Sequence, residues 1–310
     1  MPDLRLGALC WNQYTDWPSL LAAGRRADEL GYDTLWTWDH LYPIVGSSSG
    51  PIHEAWLTLA AWAQATERIR IGLMVGANTF REPTLTAKMA TTLDHISGGR
   101  AILGIGGAWF GREHDGYGID FGSGFGERLD RLDESVMLIR RLLDGERIAD
   151  HGGPVYRMHD ALVEPRPIQK RLPIMIGGSG PKKTLRTTAR YADGWNTDGS
   201  VEELRAKDAI LRERCDEVGR NSDEIERTTS VWMVIRDDPA EARRVMRANA
   251  AANGDTLSDD DLVYVGSPDK IADELRPIVE LGFRHVIVDA MAPYDAETLE
   301  RLADVRERLS

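Results

Sequence analysis

Two short runs hold most of the side chains that could do chemistry. Trp36-Thr37-Trp38-Asp39-His40 closes an apolar segment and sets a carboxylate beside an imidazole, a pair suited to proton transfer. Gly177-Gly178-Ser179-Gly180-Pro181-Lys182-Lys183-Thr184 is a glycine turn feeding a helix start. Free amides, the Ser179 hydroxyl and the Lys182 and Lys183 ammonium groups there favour a phosphate. A third run, Gly72 to Arg81, carries glycines that let backbone approach a planar ring. Each run also admits a plain structural role: Asp39 capping a loop with His40 on the rim, a bulged strand end, and an ordinary turn with exposed lysines.

Other chemistries lack their residues. Gly104-Ile105-Gly106-Gly107-Ala108 has no third glycine opening a helix and no acidic residue closing the next strand, which disfavours Rossmann-style nicotinamide binding. The histidines at 40, 53, 95, 114, 151, 159 and 285 form no HxH or HxxxH pair, so no metal site is expected. No serine stands in a GxSxG elbow, and no lysine falls at a strand end where a Schiff base would need it.

The elements that must position these groups follow from periodicity. Alternating or apolar runs at Leu4–Cys10, Asp33–Asp39, Ile69–Val75, Arg100–Gly106, Pro173–Ile176, Asp193–Asn196, Thr228–Ile235 and His285–Asp289 read as strands. Helical patterns lie between and after them: Ser19–Leu30, Glu54–Glu67, Thr84–Ile96, Glu127–Leu143, 182–190, 201–219, 239–252 and 295–308. Eight such units predict an α/β fold, a closed (β/α)8 TIM barrel in one domain over 1–310, with active residues at the C-terminal mouth. Two insertions interrupt it, at about 108–125 and 147–172. The first is glycine-rich and aromatic, and it is expected to act as a lid over the mouth. The stretch Ser258–Asp261 reads as an acidic loop or helix start.

Composition narrows the partners. Fifty acidic against 38 basic residues give a net charge of −12 over 310 residues, which repels nucleic acid. Two distant cysteines, no signal-peptide opening and no apolar run long enough to cross a bilayer lead to the expectation of a cytoplasmic enzyme acting on a small molecule.

Taken in order, Asp39-His40, GxxVxxNxxR from Gly72 to Arg81, LDHISGGR from Leu93, LGIGGAWF from Leu103, GERLDRLDE from Gly126, and IGGSGPKKTL followed by RYADGWN strongly resemble the luciferase-like monooxygenase family. The likeness spans nearly the whole chain, and in pattern it lies nearest the branch that uses the deazaflavin coenzyme F420. The resemblance implies an insertion over the barrel mouth, a cofactor ring near the third strand, a non-proline cis peptide at Met74-Val75, and a homodimer. It makes His40 the active-site histidine with Asp39 beside it. Asp39, Met74, Val75, Asn78, Gly106 and Gly107 would bind the cofactor beside its ring, and Gly177, Gly178, Ser179 and Gly180 would hold the phosphate, to which the charges of Lys182 and Lys183 are added on physical grounds. Tyr42, Trp109 and Phe110 would line a substrate pocket. Two positions depart from the family's sugar-phosphate and alcohol dehydrogenases: Trp109 stands where they carry a glutamate, and Ile44 where they carry a tryptophan. The expected activity is hydride transfer between F420 and a small organic substrate. The alternatives are an FMN-dependent, oxygen-using monooxygenase and a flavin-binding barrel without turnover.

Overall fold

The computed structural model describes residues 4–258 and 261–309, so two residues of the acidic 258–261 stretch, Asp259 and Asp260, lie outside the described residues. The chain runs β1 (Arg5–Cys10), α1 (Trp17–Glu29), β2 (Thr34–Thr37), α2 (Ala55–Ala65), β3 (Arg70–Leu73), β4 (Gly76–Ala77), α3 (Pro83–Ser97) and β5 (Ala101–Gly106). The insertions and second half follow as α4 (Gly111–Tyr117), α5 (Phe125–Leu143), β6 (Ile148–Gly152), β7 (Arg157–Ala161), β8 (Ile174–Gly177), α6 (Thr184–Tyr191) and β9 (Gly194–Asn196). The last part is α7 (Val201–Glu217), β10 (Glu226–Ile235), α8 (Pro239–Ala252), β11 (Val263–Gly266), α9 (Pro268–Glu280), β12 (His285–Ala290) and α10 (Ala296–Leu309).

Parallel pairing runs β1-β2-β3-β5-β8-β9-β10-β12, and β12 returns to β1 with Arg5 opposite His285 and Cys10 opposite Ala290. The sheet therefore closes into the expected eight-stranded barrel. Strand alternation divides two cores. Leu6, Ala8 and Cys10 of β1 and Val286 and Val288 of β12 face the helices, while Leu9 and Ile287 fill the interior with Trp11, Trp36, Trp38 and Met175. The interior is packed tightly enough to require glycines. A Cβ at Gly7 would lie 2.5 Å from Thr34 Oγ1, and one at Gly72 would lie 2.7 Å from the Trp36 ring.

The structure adds elements that the periodicity reading left unassigned. β10 outlasts the barrel: Thr228–Val231 pair with β12, and Trp232–Ile235 pair with β11. Helix α9 starts where Ser267 accepts from the Lys270 amide and Pro268 takes the first helical turn, a local signal for a helix start. The 147–172 insertion is the antiparallel β6–β7 hairpin. Glu134 of α5 holds it by accepting from the Val155 and Tyr156 amides and pairing with His151. No described helix is long and apolar enough to cross a membrane.

Candidate active site

β2 ends at Thr37, so residues 38–40 leave the pleat and point three ways. Trp38 turns into the barrel, tilted against Trp11 with centroids 4.4 Å apart. Asp39 turns toward α3. Its carboxylate, 2% exposed, accepts from Arg81 at 2.6 and 3.0 Å and from the Ala77 amide at 3.0 Å. Asp39 is thus paired with a guanidinium and a backbone amide and not with His40, and it ties β4 to the end of β2 while bordering the same cleft as His40.

The partner of His40 comes from the first insertion. His40 Nδ1 lies 3.0 and 3.1 Å from the two oxygens of Glu113, which also accepts from the Leu41 amide at 3.0 Å. Glu113 is 1% exposed. Because an ionised carboxylate only accepts, Nδ1 carries the proton and Nε2 is left for the cleft. Trp109 stands edge-on to the His40 ring at 5.7 Å and Phe110 at 6.1 Å.

The insertion is more firmly held than its glycines suggest. Next to Glu113 in α4, buried His114 bonds Thr79 Oγ1 at 2.6 Å and the Phe110 carbonyl at 3.0 Å, and it stacks on Phe121 at 4.3 Å. Arg128 lies 3.7 Å over the Phe121 ring. These contacts tie α4 to the barrel rim, and Trp109 stands exposed at its edge.

Beside His40 opens a cleft of about 320 Å³ between the ends of β2, β4, β5 and β8. One side is bare backbone at Gly106, Gly107, Gly177 and Gly178, and another is Met74 and Val75, joined by a cis peptide as expected. The Val75 side chain wedges between β5 and β8. A Cβ at Gly106 would come within 2.7 Å of Val75 Cγ2, and one at Gly177 within 2.9 and 3.0 Å of its two methyls. Gly178, at φ 111°, turns the chain away where a side chain would be strained.

Other expected site residues lie elsewhere. Asn78 sits behind the cleft wall, its amide N–H donating to the Gly106 carbonyl at 3.1 Å and its buried side chain beside the Tyr156 phenol. Tyr42 packs outside the cleft, edge-on to Tyr117 at 5.4 Å with Arg112 over its ring. Ser179 and Gly180 continue the turn past the cleft edge. Lys183 is bound to Asp130 at 2.7 Å and to the Gly126 carbonyl at 2.9 Å, so its charge is already matched, whereas Lys182 is exposed.

Sequence reasoning missed Glu113, Arg81 and, on β12, Asp289. Glu113 had little local signal: it lies four residues after Trp109, and Asp115 offers a second carboxylate in the same short segment. Asp289 is buried at the barrel mouth, where its Oδ1 accepts from Trp11 Nε1 at 2.9 Å. Burial, reinforced by the charge of Asp198, raises this carboxyl to about 7.

The family model for luciferase-like monooxygenases matches residues 8–285. An F420-dependent glucose-6-phosphate dehydrogenase of Intrasporangium calvum is 31% identical over 309 residues, covering 90% of this chain and 91% of that one. One of Kineococcus radiotolerans is 33% identical over 273 residues, covering 84% and 77%. An F420-dependent secondary alcohol dehydrogenase, solved in complex with an F420-acetone adduct, superposes with a TM-score of 0.83 over 99% of both chains at 18% identity. The coenzyme F420 dependent tetrahydromethanopterin reductase from Methanopyrus kandleri gives 0.80 over 97% of both at 20% identity. These two structures speak for the fold. With the sequence matches spanning nearly its whole length, the chain belongs to the luciferase-like monooxygenase family.

Proposed function

We propose that this protein is an oxidoreductase that binds coenzyme F420 in the cleft beside His40 and transfers a hydride between it and a small organic substrate. The carrying observation is the cleft itself, walled on one side by glycines, backed by Met74 and Val75, and bordered by a histidine whose Nδ1 faces Glu113. Four glycines with no side chain on one wall suit a planar ring that must slide against backbone.

F420 supplies, when bound, a carbon-centred site that gives or takes two electrons as hydride. The chain does the rest. Val75, held between the glycines of β5 and β8, would back the ring. The 177–180 turn, the first amides of α6 and Lys182 attract the anionic side of the coenzyme. His40 Nε2 holds or takes the proton that accompanies hydride movement at the substrate, and Glu113 keeps the imidazole oriented for it. Trp109, Ile44 and Trp38 keep water from the reacting edge.

The test is equilibrium binding of the purified protein to F420 and to FMN under identical conditions, followed by turnover assays. F420 is expected to bind at least about tenfold tighter, ~1.4 kcal/mol. Equal or tighter FMN binding would give the site to an oxygen-using reaction, and F420 binding without turnover on any substrate would make the barrel a carrier.

A further inference from the structure

The His40 cleft continues past Trp38, Met74 and Asn196 into a second cavity of about 430 Å³ at the same mouth. Its walls combine aromatic faces with carboxyl groups that have no cationic partner among the described lining residues. Trp38, Trp232 and Tyr264 line it, with Trp11 stacked behind Trp38 and edge-on to Trp232 at 5.7 Å. Asp289 enters from β12 and Asp198 from the end of β9, and no lysine or arginine is among the described lining residues.

Asp289 is the informative group. It is 8% exposed, and its one hydrogen bond among the described residues is that from Trp11 to Oδ1. The residue borders the cavity, and Oδ2 has no hydrogen-bond partner among the described residues. A buried carboxylate without a counter-charge is costly, and an oppositely charged ligand relieves that cost. Asp261 also borders the cavity, but it accepts from the Ser258 amide and lies beside the groove of Arg243 and Arg247, so Asp289 and Asp198 carry the charge argument. Lys207 reaches only the Asp198 carbonyl.

We propose that this cavity is the substrate end of the active site and selects an organic cation, a protonated amine on an aryl or alkyl body, whose charge meets Asp289 and Asp198 and whose body packs on Trp38, Trp232 and Tyr264. The proposal rests on the reading that the neighbouring cleft holds the coenzyme. A phosphate ester would meet two carboxylates and no cation. An ammonium group gains both carboxylate pairing and attraction to aromatic faces. A neutral alcohol of the same shape would leave Asp289 unmatched.

The experiment titrates the full chain, with and without F420, with phenethylamine, phenethyl alcohol, hydrocinnamate and glucose 6-phosphate, read by tryptophan fluorescence. The amine is expected to bind at least about tenfold tighter than the alcohol, with the two anions weakest. Asp289→Asn keeps the side-chain size and an oxygen to accept from Trp11, and should remove most of the amine's advantage while moving alcohol affinity less than about twofold. Asp198→Asn, at an exposed position, should reduce the advantage about two- to threefold, and it serves as the test if the buried variant does not fold. Anions binding most tightly, equal binding of amine and alcohol, or an advantage that survives both substitutions would overturn the proposal. Titration without coenzyme separates the two readings. Amine selectivity with no F420 binding would sink the cofactor assignment and leave the cavity's selectivity standing, and F420 binding without amine selectivity would do the reverse.

Discussion

Glu113 on α4 and His40 at the end of β2 meet at 3.0 Å across 73 residues of chain, and the carboxylate also takes the Leu41 amide. The contact ties the first insertion to the barrel rim and sets which imidazole nitrogen faces the cleft. Acid–base groups of this kind typically contribute about 100- to 10,000-fold. His40→Asn should therefore bind coenzyme normally and lose turnover on that scale, and Glu113→Gln should lose about 100-fold. On the His40→Asn background, Glu113→Gln should cost little more, because the two act as a unit. Additive losses in the double variant would show that Glu113 acts elsewhere.

Val75 is confined by two glycines, so enlarging either should push it into the cleft. Gly106→Ala places a methyl 2.7 Å from Val75 Cγ2 and should weaken coenzyme binding about tenfold, with about 1–3 kcal/mol lost in stability. Adding Val75→Ala should restore most of the affinity. A double variant that binds more weakly than Gly106→Ala alone would rule out the steric account.

The Asp289 carboxyl gives stability a defined pH dependence. Burial raises it from 3.8 to about 7, so the folded state prefers the protonated form. Its contribution is complete below the unfolded value of 3.8 and is lost as pH rises through about 7. Asp289→Asn has no charge to bury. Relative to the parent chain it should gain on the order of a few kcal/mol between about pH 4 and pH 8. Thermal midpoints measured across that range check it, and a constant offset between the two proteins would refute it.

The two lysines beside the glycine turn should behave differently. Lys182→Ala should weaken coenzyme binding and flatten its salt dependence, since an exposed charge near an anion acts through screened attraction. Lys183→Ala should change affinity less than about twofold, because Asp130 and the Gly126 carbonyl already hold that ammonium. Neither should shift the thermal midpoint by more than about two degrees. A larger loss from Lys183→Ala would mean that the bound coenzyme draws the lysine off Asp130.

The barrel was legible from periodicity. Alternation in Leu6, Ala8 and Cys10 against Leu9 and Trp11, repeated with intervening helices, leaves a closed parallel sheet as the way to bury both faces. The positions of His40 and of Gly106 and Gly177 at or just past strand ends were legible too, because strand ends and glycine turns are local signals. β11 and α9 stayed unread, although Ser267-Pro268 marks a helix start, because a strand of four residues carries little periodicity. Which side chains meet follows from packing between distant elements. Asp39 faces Arg81 rather than His40, Lys183 meets Asp130, Tyr42 packs on α4, and Asp289 shares a cavity with Asp198. The physical reason is that period fixes the face a residue takes within its own element. The partner it finds depends on how the chain leaves each strand end, as at residues 38–40, where three consecutive side chains take three directions.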